Sequence, residues 1–298
     1  MDNATLTAVA GIEVGHWTNE RARTGVTVMT FPEPNVAAVE ARGGAPGSRE
    51  TALLAPGMRV EAIQALVFAG GSAFGLAAAD GVVAQLEADG RGHPTPVGRI
   101  PIVPAAIIFD LGVGDPNVRP GPVEGAAAYE ARTAAPVAVG PVGAGTGASV
   151  AIWRGLDHVQ RSGLGSYAVE CGDATVAALV VLNAAGDVFT LEGEPLTGGP
   201  LAPGPPATLP GVLEQTTLVA LATDARLSRT ELSRLIVRSH DALGTCVRPA
   251  HTRLDGDIVF AVACGTETGE VEALSEAAYV ATARAIESAF RAGNAGLA

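Results

Sequence analysis

Apolar positions run through this chain in two rhythms: short blocks that alternate or stay apolar throughout, and longer stretches with helical spacing. Residues 25–31 (GVTVMTF) and 36–42 belong to the first kind and predict strands. ALVFAGGSAF, from Ala65, predicts a buried strand ending at Gly70 and Gly71, with Ser72 placed to cap a helix. That helix would run through GLAAADGVVAQLEADG and stop at Gly90. EGAAAYEARTA predicts an alanine-rich helix. ATVAALVVLNAAGDVFT (174–190) predicts two strands joined at a turn containing Gly186 and Asp187, and residues 191–217 read as loop. In SRTELSRL, Ser228 and Glu231 form a capping box. Leu232, Leu235, Ile236 and Leu243 keep one face of that helix apolar, and Gly244 ends it. IVFAVACG reads as a buried strand, and LSEAAYVATARAIESAFRAG as a helix with Tyr279, Ile286 and Phe290 along one side. Interleaved strands and helices, with no repeat and no linker, predict a single α/β domain over 1–298.

Composition narrows the class. Of 298 residues, 48% are hydrophobic and 17% charged, enough for a large core. The net charge of −12 comes with no Lys/Arg cluster, so a nucleic-acid partner, which needs a basic stripe, is not expected. Cys171, Cys246 and Cys264 are isolated, without CxxC or histidine spacing, and read as free thiols in a reducing compartment rather than disulfides or a zinc site. No metal or cofactor is expected. The first residues show no signal-peptide pattern, and PIVPAAIIFDLGVG is too broken by Pro, Asp and Gly to span a bilayer. A cytoplasmic protein with no membrane partner is expected.

Several stretches could carry chemistry. Strand, Gly-Gly-Ser, helix (70–72) is how some phosphate loops are built. Without the lysine of a P-loop or a GxGxxG spacing, close strand–helix packing is the favoured reading. GAGTG (143–147) allows backbone to approach something closely, or makes a glycine-rich hairpin. Asn183, ending an apolar run, either caps the turn or donates its amide to a ligand or oxyanion. RPAHTRLDGDIVFAV (248–262) raises the sharpest question. Asp-Gly is a strong turn signal before a strand, and Asp255 and Asp257 read as turn residues, with orientation of the strand as their functional option. Thr252, just ahead of that turn, could be a nucleophile. A threonine hydroxyl needs a base, and an α-amine of pKa roughly 8 on the same residue supplies one if the peptide bond after His251 breaks.

The chain resembles the DmpA-like hydrolases, the self-cleaving L-aminopeptidase/D-amidase–esterases, whose relatives include β-aminopeptidases and the nylon-oligomer (6-aminohexanoate-oligomer) endohydrolase. The resemblance rests on ordered segments along nearly the whole chain. These are GIEVGHW (11–17), RGGAPGSRET (42–51), AGGSAFGLAAADGV (69–82), IPIVPAAIIFDL (100–111), GAGTGASV, SGLGSYAV (162–169), LVVLNAAGDV and RPAHTRLDGDIVFAVACG. It implies a four-layer α/β/β/α sandwich of the DmpA/ornithine-acetyltransferase type and autoproteolysis into residues 1–251 and 252–298. It also implies a new N-terminal Thr252 that attacks small peptides or amides through an acyl-enzyme. By the same resemblance Asn183 helps hold the oxyanion, Gly145 and Gly147 line the site, and Ser275 and Glu276 lie near the nucleophile. Their ordinary role would be the first turn of a helix. A homo-oligomer, commonly a tetramer, is implied as well.

One position departs from the pattern. Where the nylon-hydrolase-like branch carries a lysine after the GTG segment, this chain has Ile152, and the tyrosine of the DmpA-like branch has no counterpart between 148 and 154. Arg154 is the nearest polar residue, and its guanidinium stays protonated and cannot act as a base. Two alternatives follow: an uncleaved, weakly active or non-catalytic relative, and an acyltransferase of the ornithine-acetyltransferase kind. Substrate preference belongs to pocket loops around 113–133 and 191–215, which carry no readable code.

Overall fold

A computed structural model describes residues 3–208 and 214–295. In chain order its sheet strands are β1 (Glu13–Asn19), β2 (Thr24–Thr30), β3 (Val36–Ala41), β4 (Ser48–Arg49), β5 (Ala65–Ala69), β6 (Ala105–Ile107), β7 (Leu164–Cys171), β8 (Ala174–Asn183), β9 (Thr216–Ala225) and β10 (Ile258–Glu267). The longer helices are α1 (Ala78–Ala88), α2 (Pro122–Glu130), α3 (Arg229–Cys246) and α4 (Val271–Gly293). One sheet has the order β1-β2-β5-β6-β4 and the other β7-β8-β9-β10-β3. In each, the central pair (β5 with β6, β9 with β10) is parallel and every other pair is antiparallel.

The layers follow from side-chain alternation. Along β8, Val176, Ala178, Val180 and Leu182 pack with Leu232, Leu235 and Ile236 of α3 and Ala281, Ala285 and Ile286 of α4. The intervening Ala177, Leu179 and Val181 face the other sheet, meeting Met29, Leu66 and Phe68. Val26, Val28 and Val67 on that sheet's far side are covered by Val82 and Leu86 of α1 and Ala128 and Tyr129 of α2. This is the α/β/β/α sandwich. Both faces of each sheet are covered, so the inner strands read as unbroken apolar runs instead of alternating ones. Fully burying one such Leu or Val is worth about 1.5–3 kcal/mol. The first strand of each sheet carries a glycine where a helix lies against it. A Cβ on Gly15 would stand 2.1 Å from the Ala128 carbonyl of α2, and one on Gly165 would stand 2.1 Å from the Ala285 carbonyl of α4.

Several expected elements differ. Ser72 caps no helix: its φ is +53°, and a 3₁₀ segment (Ser72–Ala77) precedes α1, because Gly71 and Ser72 both turn left-handed as the chain leaves β5. Gly244 does not end α3, which continues to Cys246. The second strand expected within 174–190 shrinks to Asp187–Val188 and pairs with Val247–Arg248 instead of folding back on β8. β1, β7 and β9 were not anticipated: β1 and β7 carry threonine, serine or glycine among their apolar residues, while β9 holds the apolar run LVALA (218–222), and long-range pairing makes all three strands. The loop expected over 191–217 gives way to β9 at Thr216, and residues 209–213 of it lie outside the described residues. All three cysteines are free. Cys246 is buried and Cys171 and Cys264 half-buried, and burial pushes the Cys246 and Cys264 thiols up to about 12. No helix among the described residues is long and apolar enough to cross a membrane.

Candidate active site

After α3, the chain pairs Val247–Arg248 with Asp187–Val188 and then makes a tight loop before β10. His251 takes φ +57°, a left-handed conformation uncommon for a residue with a Cβ. The Thr252 carbonyl accepts from the Asp255 N–H at 3.1 Å, closing the turn that the Asp-Gly signal predicts. Residues 42–45 clamp this loop from outside. Gly44 N–H donates to the Thr252 carbonyl (3.1 Å), Ala45 N–H to the Asp255 carbonyl (2.8 Å) and Arg42 N–H to the Asp257 carbonyl (3.0 Å). The approach requires glycine: a Cβ on Gly43 would lie 2.2 Å from the Asp255 carbonyl oxygen and 2.4 Å from Asp257 N.

The two carboxylates of the turn are almost completely buried. Asp255 Oδ2 accepts both from Thr252 Oγ1 (2.6 Å) and from Thr252 N–H (2.9 Å), while Oδ1 receives the Ala185 N–H at 3.3 Å. Asp257 Oδ1 receives the Thr217 N–H at 2.8 Å, and Oδ2 meets both the His251 N–H (3.0 Å) and His251 Nδ1 (2.8 Å). Burial first, and then the neighbouring Asp257 charge, raise the Asp255 carboxyl to about 6. Burial alone would depress the His251 imidazole, but the hydrogen bond and charge of Asp257 together outweigh it and raise its pKa. His240 of α3 stands edge-on to His251 at 4.9 Å between ring centroids. Burial brings it down to about 4, so it is neutral at pH 7. Asp255 and Asp257 are therefore more than turn residues. The sequence signal was available in principle, because acids flanking a glycine at the mouth of a wholly apolar strand must be buried and must find donors.

The other expected site residues divide. Asn183, wholly buried at the end of β8, receives the Ser149 N–H on Oδ1 (3.1 Å) and points Nδ2 at the Phe109 carbonyl at a long 3.4 Å. No hydrogen bond joins it to Thr252; the link runs through Ala185, two residues on, which donates to Asp255. Gly145 and Gly147 are packing positions: a Cβ would meet Leu164 N at 2.3 Å and the Arg23 carbonyl at 2.2 Å, respectively. Ile152 lines an apolar pocket of about 160 Å³ with Phe109, Val113, Leu156, Val159 and Gln215. Ser275 and Glu276 lie elsewhere. Ser275 Oγ donates to the Val271 carbonyl within α4, and Glu276 holds Arg238 of α3 in two hydrogen bonds, so both serve helix packing. Arg154 is committed to the buried Asp187 at 2.8–3.1 Å. Gln215 had no sequence signal. Its N–H donates to the Leu254 carbonyl (3.0 Å) and its carbonyl accepts from the Gly256 N–H (2.7 Å), tying the start of β9 to the Thr252 loop. Among the described residues no group of three or more His, Cys, Asp or Glu side chains could hold a metal ion.

The Thr252 hydroxyl and backbone amide thus share one buried carboxylate, in the loop that leads into β10. Comparison with known proteins gives the family. The chain matches peptidase family S58 over residues 4–295 and belongs to it. It is 41% identical over 306 residues to an uncharacterized aminopeptidase of Mycobacterium leprae, covering 92% of this chain and 81% of the relative. It is 30% identical over 272 residues to the 6-aminohexanoate-oligomer endohydrolase of Paenarthrobacter ureafaciens, covering 85% and 72%. The L-aminopeptidase D-Ala-esterase/amidase of Ochrobactrum anthropi, described as a variant of the Ntn hydrolase fold, superposes with a TM-score of 0.76 at 24% identity over 97% of this chain and 85% of that one. A Burkholderia sp. β-aminopeptidase gives 0.72 at 22% identity, covering 97% and 86%. At these identities the structural likeness establishes the fold: the sandwich is of the DmpA type.

Proposed function

We propose that this protein is a self-processing amidohydrolase that breaks its own His251–Thr252 bond and then uses Thr252 to cleave small peptides or amides. The observation that carries the reading is the double contact of Asp255 Oδ2 with Oγ1 and N of the same threonine. As Oγ1 bonds to the His251 carbonyl carbon, Asp255 takes the hydroxyl proton. As the carbon–nitrogen bond breaks, the same carboxyl returns that proton to the Thr252 nitrogen. His251 is then esterified to Oγ1 beside the freed Thr252 amine, and water hydrolyses the ester, releasing the His251 carboxylate and restoring the Thr252 hydroxyl. A base near pKa 6 suits this exchange, being ionised at neutral pH yet strong enough to accept the proton. The left-handed His251 adds backbone strain of order 1–3 kcal/mol next to the bond that breaks.

In the processed protein the Thr252 α-amine serves as base for its hydroxyl, which attacks the substrate carbonyl, expels the amine and forms an acyl-enzyme that water hydrolyses. Asn183 Nδ2, held only by the long contact to Phe109, supports an oxyanion role. The names of the relatives favour amino-terminal residues of short peptides, or linear amides, as substrates. A cytoplasmic homo-oligomer, a tetramer by family habit, completes the proposal. Denaturing mass spectrometry tests it: two masses divided before Thr252, and one uncut mass for Thr252→Ala, are expected. A wild-type chain that stays intact for days, with no amidase activity, would sink it.

A second reading is supported by Ile152. An aliphatic side chain beside the site cannot relay a proton, which favours a chain that stays uncut and only binds. Hydrolysis of aminoacyl-p-nitroanilides by the wild type but not by Thr252→Ala excludes that reading.

A further inference from the structure

The turn between β1 and β2 and the short strand Gln160–Arg161 bring two arginines to one cleft. Arg23 stands in the turn at φ +53°, and the Ala22 N–H closes that turn on Asn19 Oδ1 at 2.9 Å. Two glycines pin it from outside. A Cβ on Gly114 would lie 1.9 Å from the Ala22 carbonyl oxygen, and one on Gly147 would lie 2.2 Å from that of Arg23. Arg161 is fixed by pairing opposite Ser149 and by its carbonyl, which accepts from Asn294 Nδ2 at 2.8 Å. The cleft holds about 310 Å³ and is lined by Glu20, Arg23, Pro141, Thr146 and Arg161. Among the described residues neither guanidinium has an ion-pair partner, and the exposed Glu20 pairs with neither. Arg154, Arg229, Arg238 and Arg284, by contrast, each hold two or more protein acceptors. Partial burial, and then the Arg161 charge beside it, lower the Arg23 pKa. Two like charges held this close carry an electrostatic cost that an anion between them removes.

We infer that this cleft is an oxyanion site in which Arg23 and Arg161 grip a phosphate dianion, free or as the head of a small monoester. Guanidinium forks match phosphate oxygens in paired hydrogen bonds, and two forks match the two charges of one head. The Thr146 hydroxyl already donates to the Gly143 carbonyl at 2.6 Å, so the arginines carry the binding. The volume leaves space beyond the head for a short ester chain. The surrounding charge works the other way. At a net charge of −12 the protein as a whole repels anions, so affinity has to come from the pair itself, and Glu20 opposes it. Among the described residues that line the cleft, none is hydrogen-bonded to Thr252, Asp255 or Asp257. The site therefore stands apart from the proposed hydrolysis and does not rest on it.

The test titrates the full chain by calorimetry with inorganic phosphate, glycerol 3-phosphate and succinate, in phosphate-free buffer of low ionic strength at pH 8. Saturable binding of one phosphate per chain, with a Kd of about 1 mM or tighter, is expected from two charge-assisted contacts. Arg23→Gln and Arg161→Gln are each expected to weaken it at least ~10-fold, and Glu20→Gln to strengthen it. Arg234→Gln removes the same charge from an exposed position on α3 and should leave the Kd within a factor of about two. Succinate, whose charges sit on separate carboxylates, is expected to bind more weakly than phosphate. Tighter binding of glycerol 3-phosphate than of phosphate assigns a monoester; equal or weaker binding assigns the free ion. Circular dichroism establishes that each variant is folded, and phosphate should raise the Tm of the wild type but not of the double arginine variant. Absence of saturable phosphate binding overturns the inference. So does a Kd unchanged in Arg23→Gln and Arg161→Gln, an equal loss in Arg234→Gln, or succinate binding as tightly as phosphate.

Discussion

The two sheets of this protein share strand order and strand sense, each with one parallel pair and a glycine on its first strand against a helix, yet only one of them is entered at its fourth strand through a loop with two buried carboxylates. The difference lies in how the chain reaches the fourth strand. β6 is approached through Pro101-Ile102-Val103-Pro104, a segment without an ionisable side chain. β10 is approached through Thr252-Arg253-Leu254-Asp255-Gly256-Asp257, with both carboxylates buried and saturated by donors from Thr252, Ala185, Thr217 and His251. The scaffold offers two equivalent strand heads, and buried charge makes one of them a candidate site. The difference shows that equal layer architecture leaves the chemistry of a strand head to the side chains of the loop that enters it.

The comparison can be broken most severely at Asp255. Asp255→Asn keeps the shape of the turn but removes the base, and self-cleavage is expected to slow by about 10²–10⁴-fold, followed as the loss of intact mass after refolding or cell-free synthesis. Next in size are the glycines, one from each region. Gly43→Ala drives a methyl into the backbone of Asp255 and Asp257 and should slow cleavage roughly 10–100-fold by displacing the carboxylates. Gly15→Ala, equally crowded but against α2, should lower stability by about 1–3 kcal/mol in denaturant melts and leave the cleavage rate within a factor of about two. If Gly15→Ala slows cleavage as much as Gly43→Ala, the two regions are not separable in the way argued.

A subtler test uses pH. The proton-accepting form of Asp255 is the ionised one, and its pKa is raised to about 6. Cleavage should therefore be slow below that value, rise as pH increases through it and level off above. Because the Asp257 charge contributes to the elevation, Asp257→Asn should move the midpoint to lower pH. A midpoint that stays in place would remove Asp255 as the titrating group. The last test leaves the cleavage rate alone and reads stability. Arg154→Ala leaves Asp187 with the hydroxyl of Thr197 as its remaining side-chain donor and should cost about 2–3 kcal/mol, less than a fully buried pair because Arg154 is partly in water.

Much of the second sheet was legible in advance. The apolar runs of β8 and β10 are long enough to announce buried strands, the Ser228–Glu231 box forms as expected, with Ser228 N–H on Glu231 Oε2 and Glu231 N–H on Ser228 Oγ, and the Asp-Gly turn sits where the pair predicts it. β9 was not anticipated although LVALA (218–222) is an unbroken apolar run; its start also supplies the Thr217 backbone N–H to Asp257, a contact set by another part of the chain. Asp255 was visible as a turn former but not as a partner of Thr252, since a three-residue separation looks the same in either role. Ser275 and Glu276 illustrate the reverse error: near the site by resemblance, they belong in the structure to the α3–α4 packing, on the side of the second sheet away from the first.

The sequence by itself determined the class of fold, the position of Thr252 at a turn before a buried strand, and the apolar replacement at Ile152. Those are local properties, set by hydrophobic period, turn chemistry and residue type. The tertiary structure decided which polar groups meet. It buried Asp255 and Asp257 between residues 42–45, the Ala185 turn and β9, so that one carboxyl oxygen reaches both the hydroxyl and the amide of Thr252. It also brought Gln215 beside Ile152. Such encounters depend on packing between segments far apart in the chain, and burial raises the proton affinity of Asp255.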